Sequence, residues 1–406
     1  MFMSTEFPPT DDAWRARIDR LDVRRYAASR NHLEGAVTGL SPYFTHGYLT
    51  LAEAAEWVRA QQRLSEQDKL FSEFGWRSFF HHVWRHKGQA ILEDLRQPMS
   101  GVAYAPRLPE DIRQGKTGLR VIDQAVAALY THGYLHNHAR MWLASYVVHC
   151  RHVHWRAGAD WMVSHLLDGD LASNHLSWQW VAGTFSSKPY LFNAENVAKF
   201  APASWHVRKT PLDTSYEALE LLARGEDQAT LKAFESLAAK ARGGLEEPPV
   251  HSQPPQGLLE RLQPKLLRVP LAEAVHVELV HAWALRGAPS HGEDGVPGKT
   301  FSLGVIHMPG HAAWPWSEQR WDFVLTRMSQ ICDALFIGRL EELDAFLPAG
   351  SSRSAVAGVG EPLTQQALAA LKPTWCSLPG LLPEPRAFCG SFSKYFREAL
   401  SASPCL

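Results

Sequence analysis

The feature that most constrains the fold is a change of hydrophobic period part-way along the chain. Across residues 12–205 apolar residues recur at three and four positions, in 51–63, 71–84, 118–130, 136–153 and 161–167, which predicts helix after helix. Breaks fall at Pro42, Pro98, Gly115, Gly133, Gly158 and Gly169. Residues 206–250 add a helix pair rich in Ala, Leu and Glu, and the proline-rich stretch 246–255 reads as a stiff linker. After about residue 271 short apolar runs at 275–280, 302–307, 334–337, 355–359 and 375–378 alternate with helices predicted at 317–331, 339–346, 363–371 and 391–400. That alternation predicts an α/β layer with a mostly parallel sheet. The expected organisation is a helical domain over 12–205, a helical extension and linker over 206–270, and a small α/β domain over 271–406.

Composition narrows the class further. Of the 406 residues 45% are hydrophobic and 20% charged, as in soluble globular proteins. No apolar run reaches the roughly 18 residues that a membrane span needs, so no membrane association is expected. The N-terminus, Met1-Phe2-Met3-Ser4-Thr5-Glu6, is acidic and lacks the apolar core of a secretory signal. Cys150, Cys332, Cys376, Cys389 and Cys405 show no C-x-x-C spacing, so no structural zinc or four-cysteine iron–sulfur cluster is expected, and a reduced, cytoplasmic protein is the default reading. Residues 1–210 hold 24 Lys+Arg against 20 Asp+Glu, an excess of 4, with 14 histidines. A face that mildly basic permits phosphate contacts without demanding them.

Four segments carry chemistry. In Leu166-Leu167-Asp168-Gly169-Asp170-Leu171-Ala172-Ser173-Asn174-His175-Leu176-Ser177-Trp178-Gln179-Trp180, two carboxylates flank a glycine where a helix begins. Asp170, Asn174 and Trp178 then share one helix face, a poor apolar core face whose polar groups need partners. In Gly133-Tyr134-Leu135-His136-Asn137-His138-Ala139-Arg140-Met141-Trp142, Asn137 and Arg140 share a face, and an Arg–Asp pair inside a helical core often marks a site. Glu73, Trp76 and Arg77 share a face in Glu73-Phe74-Gly75-Trp76-Arg77-Ser78. The fourth segment runs from Tyr26 to Asn31 and on through Thr38-Gly39-Leu40-Ser41, where small hydroxyl residues just before a helix present donors to a phosphate.

Together, in order and spacing, these segments resemble the flavin-binding half of the DNA photolyase/cryptochrome family, over roughly residues 20–205. The resemblance implies an all-helical photolyase-type FAD-binding domain, followed here by the α/β domain. It implies that Tyr26, Thr38 and Ser41 hold the FAD phosphates, that Arg77 lines the site, and that Arg140 pairs with Asp168 beside the ring system. Asp170 would bond the ring's polar edge and Asn174 would face N5, where an amide goes with a reduced, anionic working flavin. Asn137 would approach the adenine. Glu73 would hydrogen-bond a damaged base, while Trp76 and Trp180 would stack on a flipped-out dimer, with Met141 as in cyclobutane-dimer photolyases. Trp178 and Trp155 match the first two members of the family's tryptophan chain. The third position is Ile112, for which Trp142 or Trp84 are candidate replacements. Two departures stand out: the α/β region comes last and does not resemble a familiar antenna-binding module, so no antenna pigment is expected, and Ser78 stands where the family usually carries an acid.

Simpler readings accompany these. Glu73 would otherwise form a salt bridge with Arg77, and the tryptophans would otherwise be packing, as expected for Trp314, Trp316 and Trp321. The cluster His149-Cys150-Arg151-His152-Val153-His154 reads as half-exposed helical histidines, so no metal is expected. Three functions stay open at this point: light-driven repair of cyclobutane pyrimidine dimers in DNA by a deoxyribodipyrimidine photolyase-like lyase, a cryptochrome-like photoreceptor with a protein partner on the C-terminal domain, and a light-independent FAD-binding protein of the same fold.

Overall fold

The computed structural model describes residues 6–271, 276–287, 300–358 and 360–403. They fall into two compact units, each assembled from separated stretches of chain: 1–20, 39–62 and 249–381 in one, and 21–38, 63–248 and 382–406 in the other. The linear partition at 205 and 270 expected from periodicity therefore differs from the units observed.

The second unit is helical. Its elements include α1 (Val23–Ser29), α2 (Lys69–Lys87), α3 (Arg120–His132), α4 (Asn137–Ser145), α5 (Trp155–His165), α6 (Leu171–Ala182) and α7 (Phe392–Ser401). In α3 Val121, Ile122, Ala125, Val126 and Leu129 form a buried stripe, and the helix stops at Gly133, whose φ of 60° is left-handed. By contrast α6 is buried nearly all round, with Leu171, Asn174, His175, Trp178 and Gln179 all inside, so it has no apolar stripe. The large indoles Trp142 and Trp155 are fully buried, and each N–H is satisfied, by Asn196 Oδ1 at 3.0 Å and Asp94 Oδ1 at 2.6 Å.

The helix predicted at 136–153 is shorter than its pattern. After Ser145 the chain continues for one π turn, Tyr146–Cys150, and then leaves the helix at His152, whose φ is 46°. The histidine cluster is thus neither helical throughout nor half-exposed as a group. His149 is buried with Nε2 against Val181 O at 2.9 Å, and buried His152 meets Leu222 O at 2.9 Å. The following helix starts six residues before the expected 161, because His154 caps it by accepting from Arg156 N at 3.2 Å.

The other unit holds the sheet. Strands β1 (Val250–His251), β2 (His276–His281), β3 (Thr300–His307), β4 (Trp316–Ser317), β5 (Ala334–Gly338), β6 (Ser352–Val356) and β7 (Thr374–Cys376) occur in it. Five of them form a parallel sheet in the order β5-β3-β2-β6-β7. All five predicted runs contribute, although Val275 and Val359 lie outside the described residues. The helix predicted at 339–346 is a 3-10 helix, Leu340–Phe346. The middle of the expected proline-rich linker pairs as β1 with β4, antiparallel, and Trp321 donates to His251 O at 3.0 Å. Trp316 and Trp321 are buried, as expected, against His311 at ring separations of 4.2 and 4.5 Å. The helix expected at 51–63 forms as Leu51–Gln61 but belongs to this unit, as does a helix at Asp11–Asp19; Arg327 reaches Asp11 at 2.7 Å and Arg286 pairs with Glu53. The helix predicted at 391–400 forms, as α7, but belongs to the helical unit.

Candidate cofactor and substrate site

The turn between α5 and α6 is tight: Asp170 N donates to Asp168 O at 2.7 Å. It presents two buried carboxylates with different partners. One terminal nitrogen of Arg140, on α4, donates to both oxygens of Asp168 at 2.8 and 3.0 Å, while Arg140 Nε holds Leu135 O at 2.7 Å. Asp170 is the N-cap of α6, accepting from Ser173 N at 2.6 Å. From α2, His81 Nε2 lies 2.9 Å and Arg77 3.4 Å from its other oxygen. Burial opposes ionisation of Asp170, but the charges of His81 and Arg77 and the hydrogen bonds of His81 and Ser173 outweigh it, holding the carboxyl far below its ordinary range. One turn along, buried Asn174 donates to Ala159 O at 2.9 Å. Next to the cap, the buried Ser173 Oγ has no hydrogen-bond partner among the described residues.

Glu73 pairs with Arg30 of the α1 end at 3.3 Å; Arg77 is committed to Asp170, so the Glu73–Arg77 bridge of the simpler reading does not form. Tyr26 is buried on α1, and desolvation, with Glu73 nearby, pushes its phenol well above the usual range. Thr38 belongs to the helical unit, whereas Ser41 opens the short helix Ser41–Thr45 in the other. Asn137 is exposed at the start of α4, its amide 3.6 Å from Met141 Sδ. Trp180 is half-buried, 5.9 Å from Tyr190. Trp178 is buried and rests on the backbone of α5 at Gly158, where a Cβ would come within 2.3 Å of the indole. Trp142, a candidate outer electron donor, is fully buried between His138 and Phe192, and Trp84 is buried too. Trp76 stacks on Phe392 of α7, with ring centroids 4.2 Å apart and planes within 10°.

His81, Arg30 and Phe392 are the residues that sequence reasoning missed. His81 follows Arg77 by four and so shares its face, a signal that was available. The contact of Phe392 has no local signal. A histidine–carboxylate trio, His82, His86 and Glu384, also converges, but both nitrogens of His82 are committed: Nδ1 to Glu384 at 2.6 Å and Nε2 as acceptor from Cys389 N at 2.9 Å.

This donor set suits a flavin dinucleotide. Guanidiniums at Arg30, Arg77 and Arg140, a fixed amide and an unpartnered hydroxyl can serve phosphates and a polar ring edge.

Known proteins support that match. The family model for the FAD binding domain of DNA photolyase matches residues 70–209. The deoxyribodipyrimidine photo-lyase of Streptomyces griseus is 33% identical over 160 residues, covering 39% of this chain and 35% of the relative. That of Vibrio cholerae is 31% identical over 188 residues, covering 42% and 39%, and that of Escherichia coli 35% over 132, covering 30% and 27%. The chain therefore spans well under half the length of these curated relatives. A solved Synechocystis cryptochrome overlaps 49% of this chain and 46% of its own at 24% identity, with a TM-score of 0.43. Over its helical segment the chain is thus similar to the FAD binding domain of DNA photolyase, the part that these relatives share with it.

Proposed function

We propose that the helical unit binds FAD and that the protein uses it, under blue light, to split cyclobutane pyrimidine dimers in DNA. The observation that carries the reading is the Arg140–Asp168 pair beside Asp170 and Asn174 at the start of α6. Three buried polar side chains, with a half-buried guanidinium held against one of them, are costly in a helical core unless something polar uses them. When bound, FAD supplies blue-light absorption and the transfer of single electrons.

The chain's residues do the rest. Asp168 holds Arg140 in place, so a positive charge stands at a fixed position. The neutral Asn174 adds no negative charge, which suits an electron-rich partner. Asp170 stays ionised at neutral pH and orients His81 and Arg77. Tyr26 and Thr38 are assigned to the phosphates and Asn137 to the adenine. Glu73, steadied by Arg30, is the hydrogen-bonding group for the damaged base, with Trp76, Trp180 and Met141 as its apolar contacts. Trp178 and Trp155 are assigned to electron supply from the protein.

The test is a repair assay with purified protein, reductant, blue light and a dimer-containing oligonucleotide, beside Glu73→Ala and a dark control. Light-dependent repair that falls in the variant supports the proposal. A flavin-bound protein that repairs nothing points to the photoreceptor instead, and a protein that retains no flavin after gentle purification ends both readings.

A further inference from the structure

Helix α7 carries an apolar stripe, Phe392, Tyr395, Phe396 and Ala399, with Ser393, Lys394 and Arg397 exposed opposite. The stripe lies on α2. Phe392 stacks on Trp76, and Phe396 meets Phe71 edge-on at 6.2 Å. Phe396 sits against bare backbone at Gly75, where a Cβ would come within 2.7 Å of its ring. A glycine inside a 19-residue helix weakens that helix, so its use here needs a reason, and the approach of this ring supplies one. Tyr395 is buried beside Phe79. Upstream, Glu384 and the Cys389 backbone bind His82, and Glu384 also pairs with Arg85. With Phe79 and Phe80 also against it, the Trp76 indole is ringed by phenylalanines.

We propose that α7 is a built-in plug, with Phe392 occupying on Trp76 the place of a stacked nucleobase, so that a base and this helix compete for one indole. The proposal rests on the reading of Trp76 as a base-stacking residue. The exchange is chemically close to even, because one flat ring replaces another on the same surface. It is also mechanically open. Glu384 and Cys389 tether the segment upstream, while α7 is only 10 residues long, too short to persist as a helix once it leaves its seat. Phe392 and Phe396 are only half-buried, so the plug can loosen from their edge while Tyr395 stays seated.

The experiment measures binding in the dark of a single-stranded oligonucleotide with one thymine dimer, by fluorescence anisotropy, for the parent, Phe392→Ala and Phe392→Trp. Hydrogen exchange of residues 392–401 is followed in the parent with and without the oligonucleotide. Removing the ring is expected to tighten binding about tenfold, Phe392→Trp is expected to bind like the parent, and the oligonucleotide is expected to speed exchange across α7. Binding by Phe392→Ala no tighter than by the parent, or exchange that slows on adding the oligonucleotide, overturns the plug. If Phe392→Ala does not fold, the exchange measurement on the parent decides alone. Flavin absorbance is read on the same samples: its loss counts against the proposed function, whereas the competition is judged only by the oligonucleotide.

Discussion

Asp170 shows how one residue can serve both fold and site. Its carboxylate caps α6 and, through the same side chain, holds His81 and Arg77 of α2. Its lowered pKa means that this stabilisation is fully present above the ordinary carboxylate value of about 4 and is lost only as pH falls below it. Arg140 and Asp168 depend on each other more directly. Arg140→Ala takes the guanidinium from a buried carboxylate, a loss of about 3 kcal/mol or more, and is expected to lower the urea midpoint and the bound flavin together. A variant with unchanged flavin content would remove the pair from the site. Gly158→Ala sets two effects against each other. Alanine favours a helix by about 1 kcal/mol, but its methyl would overlap the Trp178 indole, and overpacking typically costs about 1–3 kcal/mol. Overpacking should win, giving a lower denaturation midpoint and altered tryptophan fluorescence.

At the scale of elements, α2 is the backbone of the site, because its successive turns carry Glu73, Trp76 with Arg77, and His81. Gly75→Ala should strengthen α2 locally yet loosen α7, so faster amide exchange at 392–401 than in the parent is the expected result, and equal exchange would count against the Phe396 contact. The order of the helices was legible because each amphipathic helix writes its own period into the chain, as the stripe on α3 does. So were the strands, since a buried parallel strand needs a continuous apolar run, as β3 has from Ser302 to His307. The Arg140–Asp168 pair was reached only through the family's pattern, since residues 28 apart carry no local sign of contact. The π turn at Tyr146–Cys150 and the early start of α5 were hidden, because helical periodicity continues across a break set by backbone geometry and a histidine cap. The seat of α7 was hidden for a related reason: an amphipathic helix announces its apolar face but not what covers it.

For the molecule as a whole, each unit draws on three stretches of chain. A fragment 1–248 would hold most of the helical unit without α7, together with pieces of the other unit that lack their sheet. It is expected to aggregate or to melt well below the full chain in a thermal scan, and an equally stable fragment would contradict the partition. Acid should act on both units through buried histidines. Burial lowers His136, His138 and His149 to about 4 and His311 to about 3. Each is neutral when folded but takes a proton in the unfolded chain below about 6.5, so the unfolded state gains protons first and stability falls as pH drops from about 6.5 towards 4. A fully buried group such as His149 contributes on the order of 3 kcal/mol to that change. Denaturant midpoints at pH 7.5 and 5 should differ accordingly, and His149→Gln should narrow the gap.

The tether between Cys389 and His82 joins residues 307 positions apart. A chain leaves the ribosome from its N-terminus at about 5–20 residues per second, so α2 is made well before the segment that covers it. For that interval of synthesis Trp76, Phe71 and Phe79 have no lid, and nascent chains carry an aromatic strip open to chaperones or to one another. A segment made 307 residues later thus decides when α2 becomes safe from self-association.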